Sequence, residues 1–380
     1  MPENNLYYIY VDTKIEGAIE QLFRYFQAHV FNSNSCIEVL CKYYKETAPF
    51  IIKKFEENNI PYRFIKKNSD LTLQKNKTIF YLFNAQSNCR LVANRDLVHI
   101  FVTHGDSHKL ASVKPIIRIY DFVISAGQAG IDRFLKMGIF SQDDIDKHKV
   151  IALGNTFIGS NNFEYDPLSE SVLYAPTWEG GVPEEDYSSI SSSTAVKIIN
   201  FCKNKHFKKI YFQPHPNLGH RLKSKIDSFQ EMVSAFRKVK IEVEIIQSNI
   251  KEEFSFLPFK KKKSKQSCYK VAYALTDISA MEVQFISKDI PCSVFIKDEH
   301  ECNLAIPSSL KSYYEKTFIR ENDKDITLHL HHQIKESKPY FLSFTNPELE
   351  TQSYDKRLSW LCAYTHAAIK EQRKTLFNTY

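Results

Sequence analysis

Short apolar runs alternate with amphipathic segments along the first part of this chain. The runs at 6–11, 36–41 and 97–102 have the length and the bulky apolar content of buried strands. Apolar strands that alternate with helices predict a parallel sheet covered by helices on both faces. The full set comprises predicted strands at 6–11, 36–41, 61–65, 78–83, 97–102, 122–125 and 150–153, and predicted helices at 15–28, 46–58 and 128–137.

The same alternation restarts after a turn-rich segment at 154–171, which predicts a linker between two domains. The sequence therefore predicts an α/β protein of GT-B-like architecture, with Rossmann-like domains at 1–155 and 170–350 that face each other across a cleft. The last segment, 351–380, is expected to be a helix that returns to brace the first domain. In this second half, strands are predicted at 172–175, 209–212, 243–246, 271–275 and 292–296, and helices at 194–203, 219–239, 280–287 and 354–377.

Composition excludes several classes of protein. A chain of 380 residues with 43% hydrophobic and 13% aromatic residues is not intrinsically disordered. No window approaches about 18 consecutive apolar residues, so no transmembrane helix is expected, and the first residues lack the pattern of a signal peptide. The eight cysteines form no Cys-x-x-Cys pair, which favours reduced, mostly buried thiols in a cytoplasmic protein.

The net charge of +7 favours anionic partners but does not choose among nucleotides, acidic polymers, nucleic acid and a membrane surface. The densest cluster comprises Lys260, Lys261, Lys262 and Lys263. It is interpreted either as a solvated loop or as a contact with anionic lipid or a polyanionic acceptor.

Four polar motifs directly follow predicted strands. They are His104 to Lys109, Tyr174 to Trp178, Gln213 to Pro216 and Thr276 to Ser279. Ligands of open α/β sheets bind at the carboxyl ends of the strands. Histidine, lysine, hydroxyl groups and helix-start amides are also the groups that bind phosphate. Together the motifs predict an enzyme that acts on a phosphorylated, nucleotide-linked donor.

Within the first motif, His104 is the candidate general base because imidazole titrates near neutrality. Lys109 is the candidate for neutralising a phosphate. The alternative is a capped strand end with a surface lysine. A metal site at His104 and His108 is not predicted, because Gly105 disfavours a helix there and no third ligand accompanies them.

The third motif places His215 between two prolines, which restrict the backbone and would aim the imidazole at a donor phosphate. A plain proline-rich turn is the alternative. In the fourth motif, Ser279 and Glu282 have capping-box spacing, so Ser279 is the predicted N-cap of a helix beginning at Ala280. The first-turn amides and the hydroxyls of Thr276 and Ser279 would then hold phosphate; a cap with no ligand is the alternative.

Five further residues have candidate or alternative roles. Thr177 is a candidate phosphate contact, Glu179 a catalytic or orienting carboxylate, and Asp277 a supporting carboxylate. Trp178 is interpreted as a core residue in preference to a stacking platform. Ser125 lies in a glycine-containing strand-to-helix turn that is not a G-x-G-x-x-G fingerprint, and neither a P-loop nor a G-x-S-x-G motif occurs.

The order of these motifs, together with Tyr120-Asp-x-x-x-Ser125, resembles the CDP-glycerol glycerophosphotransferase family over about residues 97–300. That family contains teichoic acid primases and polymerases and related bacterial capsule enzymes. The resemblance implies a GT-B-like enzyme that binds CDP-glycerol in the second domain. It would transfer glycerol phosphate to a hydroxyl of a saccharide, lipid-linked or polymer acceptor and release CMP. It also implies a cytoplasmic enzyme, peripheral on the inner membrane face, without a nicotinamide or flavin cofactor.

By position, His104 and His215 match the family's two functional histidines, and Thr276 and Ser279 match its donor phosphate segment. The chain departs from the family at Ala280, where a second serine is usual, at Ile278, where an aromatic residue is usual, and at 153–157, where Gly-x-Pro-Arg-x-Asp is usual. Its length resembles a primer-adding or linkage enzyme more than a polymerase. The alternatives are a GT-B glycosyltransferase that uses a CMP-sugar or another nucleotide sugar, and a non-catalytic polyanion-binding module; no nucleic-acid partner is expected.

Overall fold

A computed structural model describes residues 6–102, 106–159, 161–246, 268–301, 304–329 and 331–378. The chain divides into two compact units. The first comprises Met1–Asp106, Val113–Ser160 and Leu342–Tyr380, and the second comprises Ser107–Ser112 and Asn161–Phe341. The sequence did not predict that the short segment Ser107–Ser112 belongs with the second unit.

The first unit is built on a seven-stranded parallel sheet with the order β3-β2-β1-β4-β5-β6-β7. This is the doubly wound order, in which the winding reverses between β1 and β4. The strands are β1 (Tyr7–Val11), β2 (Cys36–Lys42), β3 (Tyr62–Ile65), β4 (Thr78–Tyr81), β5 (Val98–Val102), β6 (Phe122–Ser125) and β7 (Val150–Ala152). The helices are α1 (Glu16–Gln27), α2 (Ala48–Glu56), α3 (Asn88–Val92), α4 (Gln128–Lys136), α5 (Gln142–Asp146) and α12 (Tyr354–Asn378).

Burial of apolar side chains explains why the C-terminal helix belongs to this unit. Leu358, Leu361 and Cys362 of α12 lie in one core cluster with side chains from the sheet and from α1. Arg357 on the same helix is nearly buried and donates from Nε to the Leu349 carbonyl at 2.9 Å. The expected role of the C-terminal helix in bracing the first domain is therefore confirmed.

The second unit repeats the arrangement in a six-stranded parallel sheet with the order β11-β10-β9-β13-β14-β15. Its strands are β9 (Ser171–Ala175), β10 (Lys209–Phe212), β11 (Glu242–Ile245), β13 (Tyr273–Asp277), β14 (Cys292–Phe295) and β15 (Phe318–Ile319). Its helices are α6 (Ser192–Asn204), α7 (Ser224–Lys238), α8 (Ala280–Ser287), α9 (Asp298–Glu301), α10 (Lys311–Thr317) and α11 (His331–Phe341). Two Rossmann-like units and a C-terminal helix packed on the first confirm the α/β, GT-B-like class.

Several elements differ from the sequence prediction. The single strand predicted at 271–275 is divided, because β12 (Tyr269–Val271) leaves the main sheet and pairs with β8 (Phe163–Tyr165). The predicted linker therefore contributes a strand of its own. The helix predicted at 219–239 begins only at Ser224, and the elements from α9 to α11 were not predicted.

No helix within the described residues is long and apolar enough to cross a membrane. Among the described cysteines, five are buried and none forms a disulfide.

A buried ion pair stabilises the first unit. The Arg133 guanidinium on α4 donates to the Asp106 carboxylate, and both side chains are nearly inaccessible to solvent. The same carboxylate accepts a hydrogen bond from the Ala126 backbone N–H at 2.6 Å. Asp106 therefore ties the chain that follows β5 to the end of β6.

Replacing Asp106 by alanine would leave the Arg133 charge buried and unpaired. We expect this change to lower the free energy of unfolding of the first unit by about 3 to 5 kcal/mol. Urea unfolding followed by Trp360 fluorescence, in a Trp178→Phe background, measures this unit. The control is Asp143→Ala, which breaks an exposed ion pair with Lys147 and should cost less than about 1 kcal/mol. Equal effects of the two changes would contradict the role assigned to Asp106.

Candidate functional site

The candidate site lies in the second unit, at the carboxyl ends of β9 and β13. The sheet order reverses between these two strands, and such a point forms the ligand-binding crevice of doubly wound sheets. The Thr276 hydroxyl at the end of β13 donates to the Ala175 carbonyl at 2.8 Å. One position further, the backbone N–H of Thr177 donates to the Asp277 carboxylate at 2.7 Å.

Asp277 is fully buried and links both ends of the loop after β9. Its carboxylate also accepts from the backbone N–H of Ser189 at 3.2 Å. Burial raises the pKa of Asp277 to about 6, although hydrogen bonds from Ser189 and Thr177 and the nearby Lys109 charge act in the opposite direction. The supporting role expected for Asp277 is thus a specific one, because the carboxylate positions the backbone of the motif that contains Thr177.

Lys109 and Thr177 are brought together, as two candidate phosphate contacts should be. The Lys109 ammonium donates to the Thr177 hydroxyl at 2.8 Å and lies 5.3 Å from the ring centroid of Tyr187. Burial lowers the pKa of Lys109 to about 8, while the charges of Asp277, Glu185 and Asp186 raise it. A half-buried ammonium beside a hydroxyl group is suited to binding an oxyanion.

Ser279 is the N-cap of α8, as predicted, and its hydroxyl accepts from the Met281 backbone N–H at 3.2 Å. The predicted capping box is wrong, because the buried Glu282 carboxylate accepts from the Tyr314 hydroxyl at 2.9 Å instead. Burial raises the pKa of Glu282 to about 7. Phosphate binding by the first-turn amides of α8, beginning at Ala280, stays a prediction.

The expectation that the Thr276 hydroxyl contacts phosphate requires a correction. Thr276 is fully buried, and its hydroxyl is shared between the Ala175 carbonyl and the Ser279 hydroxyl, which lies 3.1 Å away. With both of its partners inside the protein, this side chain holds two strand ends together and positions Ser279.

The Glu179 carboxylate binds backbone groups of a neighbouring loop, and its predicted catalytic or orienting role stays a prediction. Its fully buried carboxylate accepts from the backbone N–H groups of Gly219, Arg221 and Leu222 at 2.8 to 3.1 Å. The adjacent Gly180 has a φ of +71°, which favours glycine, and a β-carbon at this position would lie only 2.4 Å from the Glu185 carbonyl oxygen. Glu179 thereby joins the loop after β9 to the loop after β10.

His215 stacks on Trp178, with ring centroids 5.9 Å apart and planes at 16°. Trp178 is half-buried, and one face of its indole ring packs against the His215 imidazole. The interpretation of Trp178 as a core residue is therefore wrong in part. The His215 Nδ1 atom accepts from the Asn217 backbone N–H at 3.1 Å. The neutral ring therefore carries its proton on Nε2 and can donate from that atom.

Three cations near this site were missed or only partly recognised in the sequence. Arg221, Lys225 and Lys297 all form ion pairs with Asp186, in the loop after β9. The two lysines carry no motif in the sequence. Their convergence depends on three segments far apart in the chain, and no local spacing reveals it.

The remaining candidates lie elsewhere or outside the described residues. His104 and the run Lys260 to Lys263 are outside them, so their roles stay predictions. Ser125 belongs to the first unit, where its hydroxyl donates to the Gly127 carbonyl at 2.8 Å. His108 is buried, with Nδ1 3.3 Å from the Ala305 carbonyl. The described part of the chain contains no cluster of three or more residues suited to holding a metal ion.

No family model and no curated protein matches this chain. Solved structures with a similar fold include MnaA of S. aureus with UDP (9% identity, 95% of this chain and 96% of that chain, TM-score 0.47). Another is the wall teichoic acid polymerase TagF with CDPG (11% identity, 98% and 90%, TM-score 0.44). A third is the UDP-GlcNAc 2-epimerase of Neisseria meningitidis with UDP-GlcNAc (9% identity, 97% and 100%, TM-score 0.46). At these identities and TM-scores the function has to be argued from the site itself.

Removal of the Glu179 carboxylate tests its role in joining the two loops. Glu179→Ala leaves three backbone N–H groups without their acceptor, so we expect a loss of at least about 3 kcal/mol in the free energy of unfolding of the second unit. Trp178 fluorescence during urea unfolding, in a Trp360→Phe background, reports on this unit. Glu184→Ala, an exposed change on the same loop, is the control. A loss no larger than that of the control would show that the loops hold without Glu179.

Proposed function

We propose that this protein is a glycerophosphotransferase. It transfers glycerol phosphate from CDP-glycerol to a hydroxyl group of a saccharide, lipid-linked or polymer acceptor and releases CMP. The observation that carries the proposal is the assembly of Lys109, Thr177 and the first turn of α8 at the reversal point of the second sheet. The sequence resemblance adds the identity of the donor and a setting in bacterial capsule or teichoic-acid-type polymer synthesis, as a primer or linkage enzyme on the cytoplasmic side of the membrane.

The donor diphosphate is bound by groups of three kinds. The α8 amides provide hydrogen bonds and partial positive charge, the Ser279 and Thr177 hydroxyls provide further bonds, and Lys109 provides a full charge. The Asp277 carboxylate holds the Thr177 backbone in place by accepting its N–H hydrogen bond. These groups stabilise the charge that develops as the bond to CMP breaks, which is the main protein contribution in phosphoryl transfer.

The two histidines have different roles in this proposal. His215 donates from Nε2 to a phosphate oxygen, because the Asn217 backbone N–H occupies Nδ1. His104 accepts the proton of the acceptor hydroxyl, whose oxygen forms a bond to the glycerol-side phosphorus. The bond from that phosphorus to the CMP oxygen breaks, and CMP leaves with the electron pair. No nicotinamide, flavin or metal cofactor is required for this step in the proposal.

The assignment of His104 is tested by CMP release from purified CDP-glycerol, with lipid-linked and saccharide acceptors. We expect His104→Ala to lower turnover by about two orders of magnitude or more, as for the loss of a general base. His332→Ala, an exposed change on α11, is the matched control and should retain activity. Near-normal turnover of His104→Ala would exclude the role.

The chemical nature of the product distinguishes this proposal from its alternatives. A phosphodiester product contains phosphorus from the donor, which ³²P-labelled CDP-glycerol reveals. Turnover of a CMP-sugar into a phosphorus-free glycoside would instead identify a glycosyltransferase. Binding of CDP-glycerol without nucleotide release, under every acceptor tried, would identify a binding module.

The lowered pKa of Lys109 predicts how donor affinity depends on pH. Because the pKa is lowered to about 8, the ammonium is mostly charged at pH 7 and mostly neutral at pH 9. We expect the affinity for CDP to fall by about tenfold across this interval if only the charged form binds. Lys109→Arg keeps its charge throughout and serves as the control, since the titration of the ligand itself is common to both proteins. Identical pH profiles for the two proteins would exclude Lys109 from the phosphate site.

A further inference from the structure

Three cationic side chains surround one carboxylate beside the proposed donor site. Asp186 lies 3.2 Å from the Lys297 ammonium, 3.6 Å from the Arg221 Nη2 atom and 3.9 Å from the Lys225 ammonium. Each of the four side chains is only 15% to 22% exposed. Three positive charges and one negative charge are therefore held together with little access to water, where electrostatic interactions are stronger than at the surface.

The Asp186 carboxylate compensates these charges without satisfying their hydrogen bonds. Only Lys297 is near hydrogen-bonding distance of the carboxylate, because 3.6 and 3.9 Å exceed the usual N–H···O range. Arg221 directs its Nε and Nη2 atoms to the Glu179 and Gly180 carbonyls. Within the described part of the chain, Asp186 is the one ion-pair partner of Lys225. Lys297 also donates to the Asp186 carbonyl at 2.7 Å, so the capacity of the cluster to bind an anion lies mainly at Lys225.

The position of Lys225 on α7 adds to this excess of positive charge. Lys225 lies in the first turn of the helix and follows Lys223, which is the N-cap. Cations at this end of a helix are unfavourable because the backbone amides already carry partial positive charge. Burial lowers the pKa of Lys225, and the neighbouring Lys297 charge acts in the same direction. The charges of Asp186, Asp277 and Glu179 act in the opposite direction and offset part of this repulsion.

The cluster adjoins the proposed donor site. The charges of Asp186 and Asp277 both act on the pKa of Lys109, and the same two carboxylates act on the pKa of Lys225. Asp277 ends β13, Asp186 lies in the loop after β9, Lys225 lies in the first turn of α7, and Lys109 lies on Ser107–Ser112 of the same unit.

We propose that Arg221, Lys225 and Lys297 form an anion subsite in which the Asp186 carboxylate occupies the place of a ligand phosphate. The inference rests on the proposed function, since it adds contacts for the anionic ligand of the same site. A phosphate group has more acceptor oxygens and more charge than a carboxylate, so it bridges the three donors more completely. When phosphate enters, Asp186 is displaced from the cations, and its charge then opposes binding.

The decisive measurement is calorimetric titration of the full chain with inorganic pyrophosphate. We expect Asp186→Asn to bind pyrophosphate about three- to tenfold more tightly than the wild type, because a competing charge is removed. Asparagine keeps the oxygen that accepts from the Ser188 backbone N–H at 3.1 Å, so the local turn is retained. The matched control is Asp166→Asn in the same unit. Asp166 accepts from the Leu168 backbone N–H and lies 3.8 Å from Lys270.

A second variant tests the cations directly. Lys225→Met should weaken pyrophosphate binding by about tenfold, as expected for one lost charge-assisted contact. Lys208→Met, which breaks an exposed ion pair with Glu170, should leave binding unchanged. This variant carries the test on its own if Asp186→Asn fails to fold.

Three further ligands identify the source of the phosphate. If Asp186→Asn gains affinity for CDP but not for CMP, the subsite takes the second phosphate of the donor. A gain with glycerol 3-phosphate alone assigns it to a phosphate on the acceptor. Both results support the subsite.

Other results overturn the inference. If Asp186→Asn binds pyrophosphate as the wild type does or more weakly, Asp186 holds the cations in place and is no substitute for phosphate. The inference is also wrong if Lys225→Met binds pyrophosphate as tightly as the wild type does. It is wrong as well if neither the wild type nor Asp186→Asn binds pyrophosphate measurably. CMP release from CDP-glycerol by the wild type would still leave the proposed function standing. Conversely, if Asp186→Asn gains affinity for pyrophosphate but the protein turns over no CDP-linked donor, the anion subsite is supported and the proposed function is wrong.

Discussion

The buried carboxylate of Asp277 is the interaction on which the candidate site depends. It accepts backbone hydrogen bonds from Thr177 and from Ser189, which lie near the two ends of the loop after β9. The end of β13 is thereby joined to that loop at the point where the winding of the sheet reverses. A carboxylate buried without these partners would be costly, so the loop and the strand end stabilise each other. Thr177 reaches Lys109 from this fixed position.

A second constraint is the amount of positive charge that the loops bring together. Lys109, Arg221, Lys225 and Lys297 come from three separate segments, and each is largely withdrawn from water. Carboxylates close to these cations offset this charge. Such an arrangement is suited to a ligand with more than one phosphate group. One phosphate of the ligand can take the place of a protein carboxylate, while another pairs with the remaining positive charge. The proposed donor and the proposed anion subsite are two consequences of this one property.

The parts of the site that the sequence predicted are those with a local physical cause. Ser279 caps α8 because an apolar strand ends and a helix begins within a few residues, which is visible in the chain itself. The capping box failed for a non-local reason. Glu282 is covered by Tyr314 on α10, so its carboxylate turns away from the helix start. Thr276 has a similar explanation, because the Ala175 carbonyl that takes its hydroxyl belongs to a neighbouring strand.

The sequence by itself determined most of the strands, the two Rossmann-like units and the set of motifs at strand ends, because alternating apolar runs and turn residues act over short distances. Tertiary structure alone decided which motifs meet. Lys109 contacts Thr177 across 68 positions, and Asp186 meets Lys297 across 111 positions, separations at which no spacing rule applies. The stacking of Trp178 on His215 likewise required two adjacent strands to end side by side. Which side chains meet at the edge of a sheet depends on which strands are neighbours. The order of the strands is set only when the chain folds, so local sequence patterns do not predict these contacts.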